Sequence, residues 1–232
     1  MGFAQAAGCW GRTGLVQGGF RMNNIRTAVI YGDSISTTEY GEGGYQELIR
    51  QGLGLEKVYN HAVSSSGLSA STPDSLVSIL QEEQNRHHDA DLILLWHGTN
   101  DWYWGAPLGE SGSKDLATFT GAAEFAIRTI QESAPQAMLL WLMPMYRLQE
   151  PFGCTVRAEA WENPNTAGYI QADYARVIWE LSGKYCFPVL DMRRLTGFNA
   201  YNAPRFLPDG IHPSREGYLR IAERLTSYIQ TF

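Results

Sequence analysis

The sequence predicts an α/β protein, a three-layer α/β/α sandwich around a five-stranded parallel sheet. Short apolar runs rich in β-branched and aromatic residues alternate along the chain with longer runs whose apolar residues recur at helical spacing. Such alternation is typical of strand–helix–strand units, which place helices on both faces of a parallel sheet. Residues 91–96 (DLILLW) are apolar after the first position, as expected of a strand covered on both faces.

The predicted elements follow one another without a repeat or an interdomain linker. Five strands are expected, at residues 27–31, 57–60, 91–96, 137–142 and 187–190. Five helices are expected: one over 44–53, one opened by Pro73, one from about Asp115, one around 170–181 and one starting near Pro213. Two connections, 102–114 and 143–166, are too long to be simple turns. Both leave the carboxyl ends of strands, the edge at which open α/β sheets bind ligands.

Composition and charge narrow the function classes. Hydrophobic residues make up 44% and charged residues 18% of the chain, as in ordinary globular proteins. The net charge of −6 argues against nucleic acid or an anionic membrane as the main partner. Because the chain contains no run of about 18 apolar residues, we expect no membrane span. Three widely spaced cysteines predict free thiols, without a metal or disulfide pattern.

Residues 1–21 differ from the rest of the chain. They are rich in Gly and Ala and lack the unbroken apolar segment of a secretory signal. We therefore interpret 1–21 as a disordered leader or tag-like extension and 22–232 as a single domain, and we expect the protein in the cytoplasm. The oligomeric state stays open.

Ser34 directly follows the first predicted strand, within Gly32-Asp33-Ser34. At the end of a buried strand a serine hydroxyl can project into a cleft, where it could act as a nucleophile. Gly, Asp and Ser are also favoured in turns and at helix caps. The tripeptide alone does not decide between these interpretations.

Two further clusters carry residue types that suit the same chemistry. Asp209 lies three residues before His212, so its carboxylate can bind one ring nitrogen and leave the other free, as an oriented base requires. Asn100 follows the central strand, where its amide could donate to a developing oxyanion. The alternatives are a Pro-Asp-Gly turn with a capping histidine, and a capping sequence after the strand.

Together the clusters resemble the SGNH (GDSL-type) hydrolase superfamily. Gly32-Asp33-Ser34-Ile35 is similar to its first block, with Ile where Leu is more usual. Gly98-Thr99-Asn100-Asp101 is similar to its third block, and Asp209-Gly210-Ile211-His212-Pro213 to its last. The resemblance covers about residues 27–225 and implies a flavodoxin-like SGNH hydrolase fold.

The resemblance also implies a mechanism and a substrate class. Ser34 would be the nucleophile of a serine hydrolase, His212 its base and Asp209 the acid that orients the base. Short-chain carboxylic esters would be cleaved through an acyl-enzyme. The backbone N–H of Ser34 and the side chain of Asn100 would contribute to the oxyanion hole. No metal and no organic cofactor is implied.

The second block departs from the family pattern. The family usually has a glycine five residues after the asparagine that corresponds to Asn60, and this chain has Ser65 there, with Gly67 two residues later. The donor is a backbone N–H, which a serine can supply where its backbone angles are allowed. We rank Ser65 ahead of Gly67 as the oxyanion donor.

Aromatic residues beside these blocks suggest how a substrate is held. Trp102 and Trp104 follow Asn100 directly and could form a platform for a sugar ring or a wall of an acyl pocket. We assign them, with Asp33, to substrate binding. The alternative is that aromatics here pack inward. The expected partner is a small-molecule ester, with acylated carbohydrates as a candidate, because so short a chain lacks a lid domain for long lipids.

Other functions remain open from the sequence. The same acyl-enzyme could serve a thioesterase or a lysophospholipase-like acylhydrolase, and a non-catalytic α/β binding module could keep the same sheet. A metal-dependent hydrolase would use His61, His97, Asp209 and His212. A nucleotide-binding protein is disfavoured because neither GxGxxG nor GxxxxGK[ST] follows the first strand.

Overall fold

The computed structural model describes residues 25–232, so the predicted leader at 1–21 and the first residues of the predicted domain lie outside the described part. Seven strands are described: β1 Thr27–Gly32, β2 Lys57–Asn60, β3 Leu92–Trp96, β4 Met138–Leu142, β5 Leu148–Gln149, β6 Ala158–Glu159 and β7 Val189–Leu190. The eight α-helices of this part are α1 Gln46–Leu53, α2 Leu76–Gln81, α3 Thr99–Trp104, α4 Phe119–Ser133, α5 Gln171–Tyr185, α6 Met192–Thr196, α7 Ala203–Phe206 and α8 Arg215–Ile229.

The central sheet has five parallel strands in the order β2-β1-β3-β4-β7. Every residue of β3 is buried, which explains why its sequence reads as an unbroken apolar run. The register pairs Gly32 at the end of β1 with Trp96 at the end of β3. The segments that follow these two strands therefore begin side by side at one edge of the sheet.

Helices cover both faces of the sheet. One apolar cluster joins alternate residues of β1, β3 and β4 to the buried faces of α2, α4 and α5. The other joins the intervening residues of the same strands to α1 and α8, which also pack against each other. Alternation along each strand thus divides the core into two layers of side chains. The predicted three-layer α/β/α fold is confirmed.

Several predicted boundaries are wrong, and each error has a local cause. Pro73 does not open a helix: Asp74 has a positive φ of 42°, and α2 begins only after Ser75, whose hydroxyl caps it. The helix expected from Asp115 begins at Phe119, because Thr118 caps the N–H of Gly121. The connection 143–166, expected to be a loop, contains the antiparallel pair β5–β6.

A short helix, α3, directly follows the central strand and includes the first residues of the predicted connection 102–114. Gly98 makes this possible, because its φ of 120° is a conformation that residues with a side chain rarely adopt. The chain turns sharply out of β3 at this glycine and starts α3 at Thr99. Asn100 therefore lies in the first turn of a helix at the carboxyl edge of the sheet. None of the helices between residues 25 and 232 combines the length and the apolar character needed to cross a membrane.

Candidate active site

Ser34 begins a single 3₁₀ turn, Ser34–Ser36, directly after β1. Asp33 caps this turn, since its Oδ1 accepts a hydrogen bond of 2.9 Å from the N–H of Ile35. The Ser34 hydroxyl lies at the carboxyl edge of the sheet, 8% exposed. Its Oγ is 2.8 Å from Nε2 of His212, although 178 residues separate the two along the chain.

His212 is held by Asp209 from the tight turn that precedes α8. Oδ2 of Asp209 is 2.6 Å from Nδ1 of His212, and Oδ1 accepts hydrogen bonds from the N–H groups of Ile211 and His212. Burial alone would raise the pKa of Asp209. The hydrogen bonds from the side chain and backbone of His212 and from the backbone of Ile211 outweigh burial, so the pKa lies below its ordinary value. The carboxylate therefore stays ionised beside the imidazole at neutral pH.

The ring of Tyr40 stacks on the imidazole of His212. The two ring centres are 3.7 Å apart and the planes are parallel, with an angle of 0° between them. Tyr40 is half-buried and comes from the segment that leads from the 3₁₀ turn to α1. This contact could not be predicted from the sequence, because a lone tyrosine in a glycine-rich segment gives no signal of what it will contact.

The amide of Asn100 is bound on both of its ends. Nδ2 donates to the carbonyl of Ser66 at 2.9 Å, and Oδ1 accepts from Nη1 of Arg147 at 2.9 Å. Asn100 is 5% exposed, on the same edge of the sheet as Ser34. Arg147 was also missed from the sequence, because it lies 47 residues further along, in a connection with no recognisable motif.

Asp101 holds the segment after β2 in place. Its carboxylate accepts hydrogen bonds from the backbone N–H groups of Leu68, at 2.8 Å, and Ser69, at 2.9 Å. Asp101 is fully buried, and this burial raises its pKa to about 6 even though the backbone N–H groups act in the opposite direction. The residue next to Asn100 thus ties α3 to the segment that contains Ser65 and Gly67.

The surroundings of Ser65 and Gly67 differ sharply. Ser65 is exposed and has a φ of 66°, and within residues 25–232 its backbone N–H has no protein acceptor. Gly67 is buried, and a Cβ at this position would lie 2.5 Å from Oγ1 of Thr72. Gly67 is therefore required by close packing. Neither N–H has a protein acceptor within residues 25–232, but only Ser65 is exposed, so its N–H is the more accessible to a ligand.

Two of the residues predicted to contact substrate are buried, which contradicts that prediction. Trp102 has no exposed surface, and its Nε1 donates to the carbonyl of Asn163 at 2.8 Å. Asp33 is 1% exposed because its carboxylate faces inward from the 3₁₀ turn that it caps. Both side chains lie behind the site: Asp33 caps the turn that begins at Ser34, and Trp102 packs in the apolar core.

Trp104, the other tryptophan assigned to substrate binding, lies at the surface of the site. It is half-buried, and its Nε1 donates to the carbonyl of Ser65 at 3.0 Å. Its ring contacts Tyr103 and Phe152, with ring centres 4.8 and 5.0 Å away, and Phe152 is 57% exposed. These three rings form an aromatic rim, defined here as Tyr103, Trp104 and Phe152, attached to the segment that contains Ser65.

The residues of the metal-dependent alternative are not gathered into one site. In the described part of the chain, no group of three or more His, Cys, Asp or Glu side chains could hold a metal ion. His61 instead pairs with His87, with 2.6 Å between their Nε2 atoms. His97 is buried, which lowers the pKa of its imidazole to about 3 and keeps it neutral.

Comparisons with known proteins identify the family. The model of the GDSL-like lipase/acylhydrolase family matches residues 30–220. No curated protein matches the chain. A solved structure of a protein from Lactobacillus plantarum is 25% identical, has a TM-score of 0.77, and covers 89% of this chain and 97% of that one.

Two other solved structures are less than 25% identical and support the fold alone. A possible lipase from Chitinophaga pinensis is 19% identical, with a TM-score of 0.66 and coverage of 88% of this chain and 98% of that one. A lipase/acylhydrolase from Enterococcus faecalis is 21% identical, with a TM-score of 0.61 and coverage of 89% and 96%. The resemblance seen in the sequence blocks is thus confirmed over most of the chain, which belongs to the GDSL-like lipase/acylhydrolase family and with it to the hydrolases of ester bonds.

Proposed function

We propose that this protein is a serine esterase that cleaves short-chain carboxylic esters, with Ser34 as nucleophile, His212 as base and Asp209 as orienting acid. One observation carries the proposal: a continuous hydrogen-bonded chain runs from the Ser34 hydroxyl through both ring nitrogens of His212 to the carboxylate of Asp209. This connection is what a serine needs to become nucleophilic at neutral pH, since its hydroxyl proton has a direct acceptor.

The reaction proceeds in two halves. Oγ of Ser34 bonds to the ester carbonyl carbon while its proton passes to Nε2 of His212, and the carbonyl π electrons move to oxygen. The tetrahedral intermediate collapses, the ester C–O bond breaks, and His212 returns the proton to the departing alcohol. Water then attacks the acyl-enzyme with the same base, which releases the carboxylic acid and restores Ser34.

The negative charge on the carbonyl oxygen needs donors that are already in place. The backbone N–H groups of Ser34 and Ser65 and Nδ2 of Asn100 are the proposed oxyanion hole. The exposure of Ser65 supports its N–H over that of the buried Gly67, and the amide of Asn100 is already oriented by its neighbours. Each such donor contributes about 10²–10³ in turnover in comparable enzymes.

The small size of the domain favours a substrate with a short acyl group. The aromatic rim favours a substrate whose alcohol part is ring-shaped or apolar. The rim offers ring faces and edges close to the segment of Ser65, which is suitable for stacking on an acylated carbohydrate. Acetyl esters of carbohydrates are therefore the proposed natural substrate class.

The test is hydrolysis of p-nitrophenyl acetate by purified wild-type protein and by Ser34→Ala. We expect the variant to lose more than about 10³-fold in kcat with an unchanged far-ultraviolet circular dichroism spectrum. Ser64→Ala is the matched control. The hydroxyl of Ser64 lies in the segment after β2, next to the site, and in the described structure it binds only Glu39. Wild-type turnover by Ser34→Ala would refute the proposal.

A panel of substrates tests the specificity. Esters from acetyl to palmitoyl, acetylated sugars and an acetyl thioester are compared by kcat/KM. We expect the ratio to fall as the acyl chain lengthens and to rise for acetylated sugars. A maximum at long acyl chains, or at the thioester, would contradict the proposed substrate class while leaving the serine mechanism intact.

A further inference from the structure

Arg147 is a buried cation in direct contact with the proposed oxyanion donor. Arg147 is 5% exposed. Its Nη1 donates to Oδ1 of Asn100 at 2.9 Å, and to the carbonyl and the hydroxyl of Thr99 at 3.2 and 3.1 Å. Nε donates to Oε1 of Gln149 at 2.9 Å. All of these acceptors are neutral. Among residues 25–232, no carboxylate is hydrogen-bonded to the guanidinium, which carries a full charge at neutral pH; those of Asp33 and Asp209 act on it only electrostatically.

We infer that Arg147 is a positioning residue for ester hydrolysis, which sets the orientation of the Asn100 amide and polarises it toward the oxyanion. The inference rests on the proposed function. It adds to the oxyanion hole a residue that touches no substrate and acts through the amide that does.

The hydrogen bonds of Asn100 explain why the orientation depends on Arg147. The oxygen and nitrogen of an amide are similar in size, so packing alone barely distinguishes them. With Oδ1 toward Arg147, a donor meets an acceptor, and Nδ2 meets the carbonyl of Ser66. After a flip, Nδ2 would face the guanidinium N–H and Oδ1 would face that carbonyl, so both contacts would be repulsive. Only the observed orientation leaves an N–H of Nδ2 for the substrate.

The charge of Arg147 adds to this effect. A cation bound to an amide oxygen draws electron density from the nitrogen and makes its N–H a stronger donor. Burial strengthens the interaction because little solvent screens it. A buried cation whose hydrogen-bond acceptors are all neutral is unfavourable for folding, and the carboxylates of Asp33 and Asp209 offset this only from a distance. The negative charge that the reaction develops next to Asn100 gives the cation a function.

The long connection 143–166 gives Arg147 its position. Arg147 precedes β5, and the next residue, Leu148, donates its N–H to the carbonyl of Gly210 at 2.8 Å. Gly210 follows Asp209, so one short strand contacts both the Asn100 side of the site and the turn that carries Asp209. Within β5 itself, Gln149 supplies the acceptor for Nε of Arg147.

The test compares Arg147→Lys and Arg147→Met, alone and combined with Asn100→Ala. A lysine can still donate to Oδ1 of Asn100, whereas a methionine keeps the volume without a donor or a charge. We expect Arg147→Met to lose about 10- to 100-fold in kcat for p-nitrophenyl acetate, with KM changed less than about threefold. Arg147→Lys should retain more kcat than Arg147→Met, although methionine suits a buried position better and should give the higher melting temperature.

The double variants separate positioning from a purely structural role. If Arg147 acts through Asn100, Arg147→Met adds little to the loss already caused by Asn100→Ala. Values of kcat are expressed per active site titrated with a fluorophosphonate, so that an unfolded fraction of the protein does not lower them. If Arg147→Met does not fold, Arg147→Lys is compared with wild type instead, alone and combined with Asn100→Ala. Arg193→Lys is the matched control, because that guanidinium pairs with Glu159 on β6 and should leave kcat unchanged.

Two outcomes would overturn the inference: multiplicative losses in the double variant, or kcat of Arg147→Met equal to or above that of Arg147→Lys. Failure of the proposed function would look different, because Ser34→Ala would then keep its activity and the fluorophosphonate would not label Ser34.

Discussion

Replacing Tyr40 with leucine tests the role of the ring that stacks on His212. In the proposed mechanism the imidazole becomes positively charged as it accepts the proton of Ser34. An aromatic face 3.7 Å away and parallel to the ring stabilises that charge. Cation–π contacts are worth about 0.5–1 kcal/mol at exposed sites and about 2 kcal/mol when desolvated. Because Tyr40 is half-buried, we take about 1 kcal/mol, which corresponds to about a fivefold loss of kcat/KM.

The assay is kcat/KM for p-nitrophenyl acetate at the pH optimum, with Tyr40→Phe as the matched control. Phenylalanine keeps the ring face and removes only the hydroxyl, so its rate should stay within about twofold of wild type. An equal loss in Tyr40→Phe and Tyr40→Leu would refute the stacking argument, because the hydroxyl would then be the important group. Wild-type rates in Tyr40→Leu would show that the ring does not stabilise the charged imidazole.

Two further predictions concern Ser65 and Glu124. Ser65→Gly should keep kcat within about threefold of wild type, because the proposed donor is a backbone N–H. It should raise the melting temperature, because glycine adopts the φ of 66° without strain. A loss of kcat beyond tenfold would contradict this. Burial of Glu124 acts to raise its pKa, but Lys184, the N–H of Gly112 and the hydroxyl of Ser111 outweigh burial and lower the pKa from 4.5 to about 2. A carboxylate with a depressed pKa stabilises the fold above its unfolded pKa and loses this contribution as the pH falls through the folded value. In urea titrations Glu124→Gln should therefore be less stable than wild type by about 1–3 kcal/mol above pH 5, with the difference shrinking between pH 4.5 and 2; a constant difference over this range would contradict the argument.

The strands could be predicted from local patterns, and the candidate site residues from three short blocks taken together. β3 is apolar at every position since both of its faces are covered, and that pattern is readable without any knowledge of its neighbours. Asp209 and His212 are three residues apart, so one tight turn decides their contact. The approach of Ser34 to His212 spans the whole domain, but it followed from topology, because both residues lie at the carboxyl edge of one parallel sheet.

The remaining features depend on contacts that no local pattern specifies. Trp102 and Trp104 are two residues apart, and only the rotation of α3 determines that the first is buried and the second reaches the surface. Which of Ser65 and Gly67 is exposed depends on the course of the segment after β2, which Asp101 holds through Leu68 and Ser69. Arg147 reaches Asn100 only through the course of a long connection, and such courses are set by tertiary packing.

Three ionisable side chains around the site are buried, and their positions share a logic. Burial raises the pKa of Asp33 to about 7 and of Asp101 to about 6, and it lowers the pKa of Arg147 to about 10. Asp33 caps the turn that carries Ser34, Asp101 binds the segment of Ser65, and Arg147 binds Asn100. Each of the three proposed oxyanion donors is thus held by a buried ionisable group that does not itself face the substrate. An apolar core would be more favourable for folding at these positions, but it would remove the hydrogen bonds that hold the donor segments and the Asn100 amide in place. An oxyanion hole is effective only when its donors are oriented before the reaction begins.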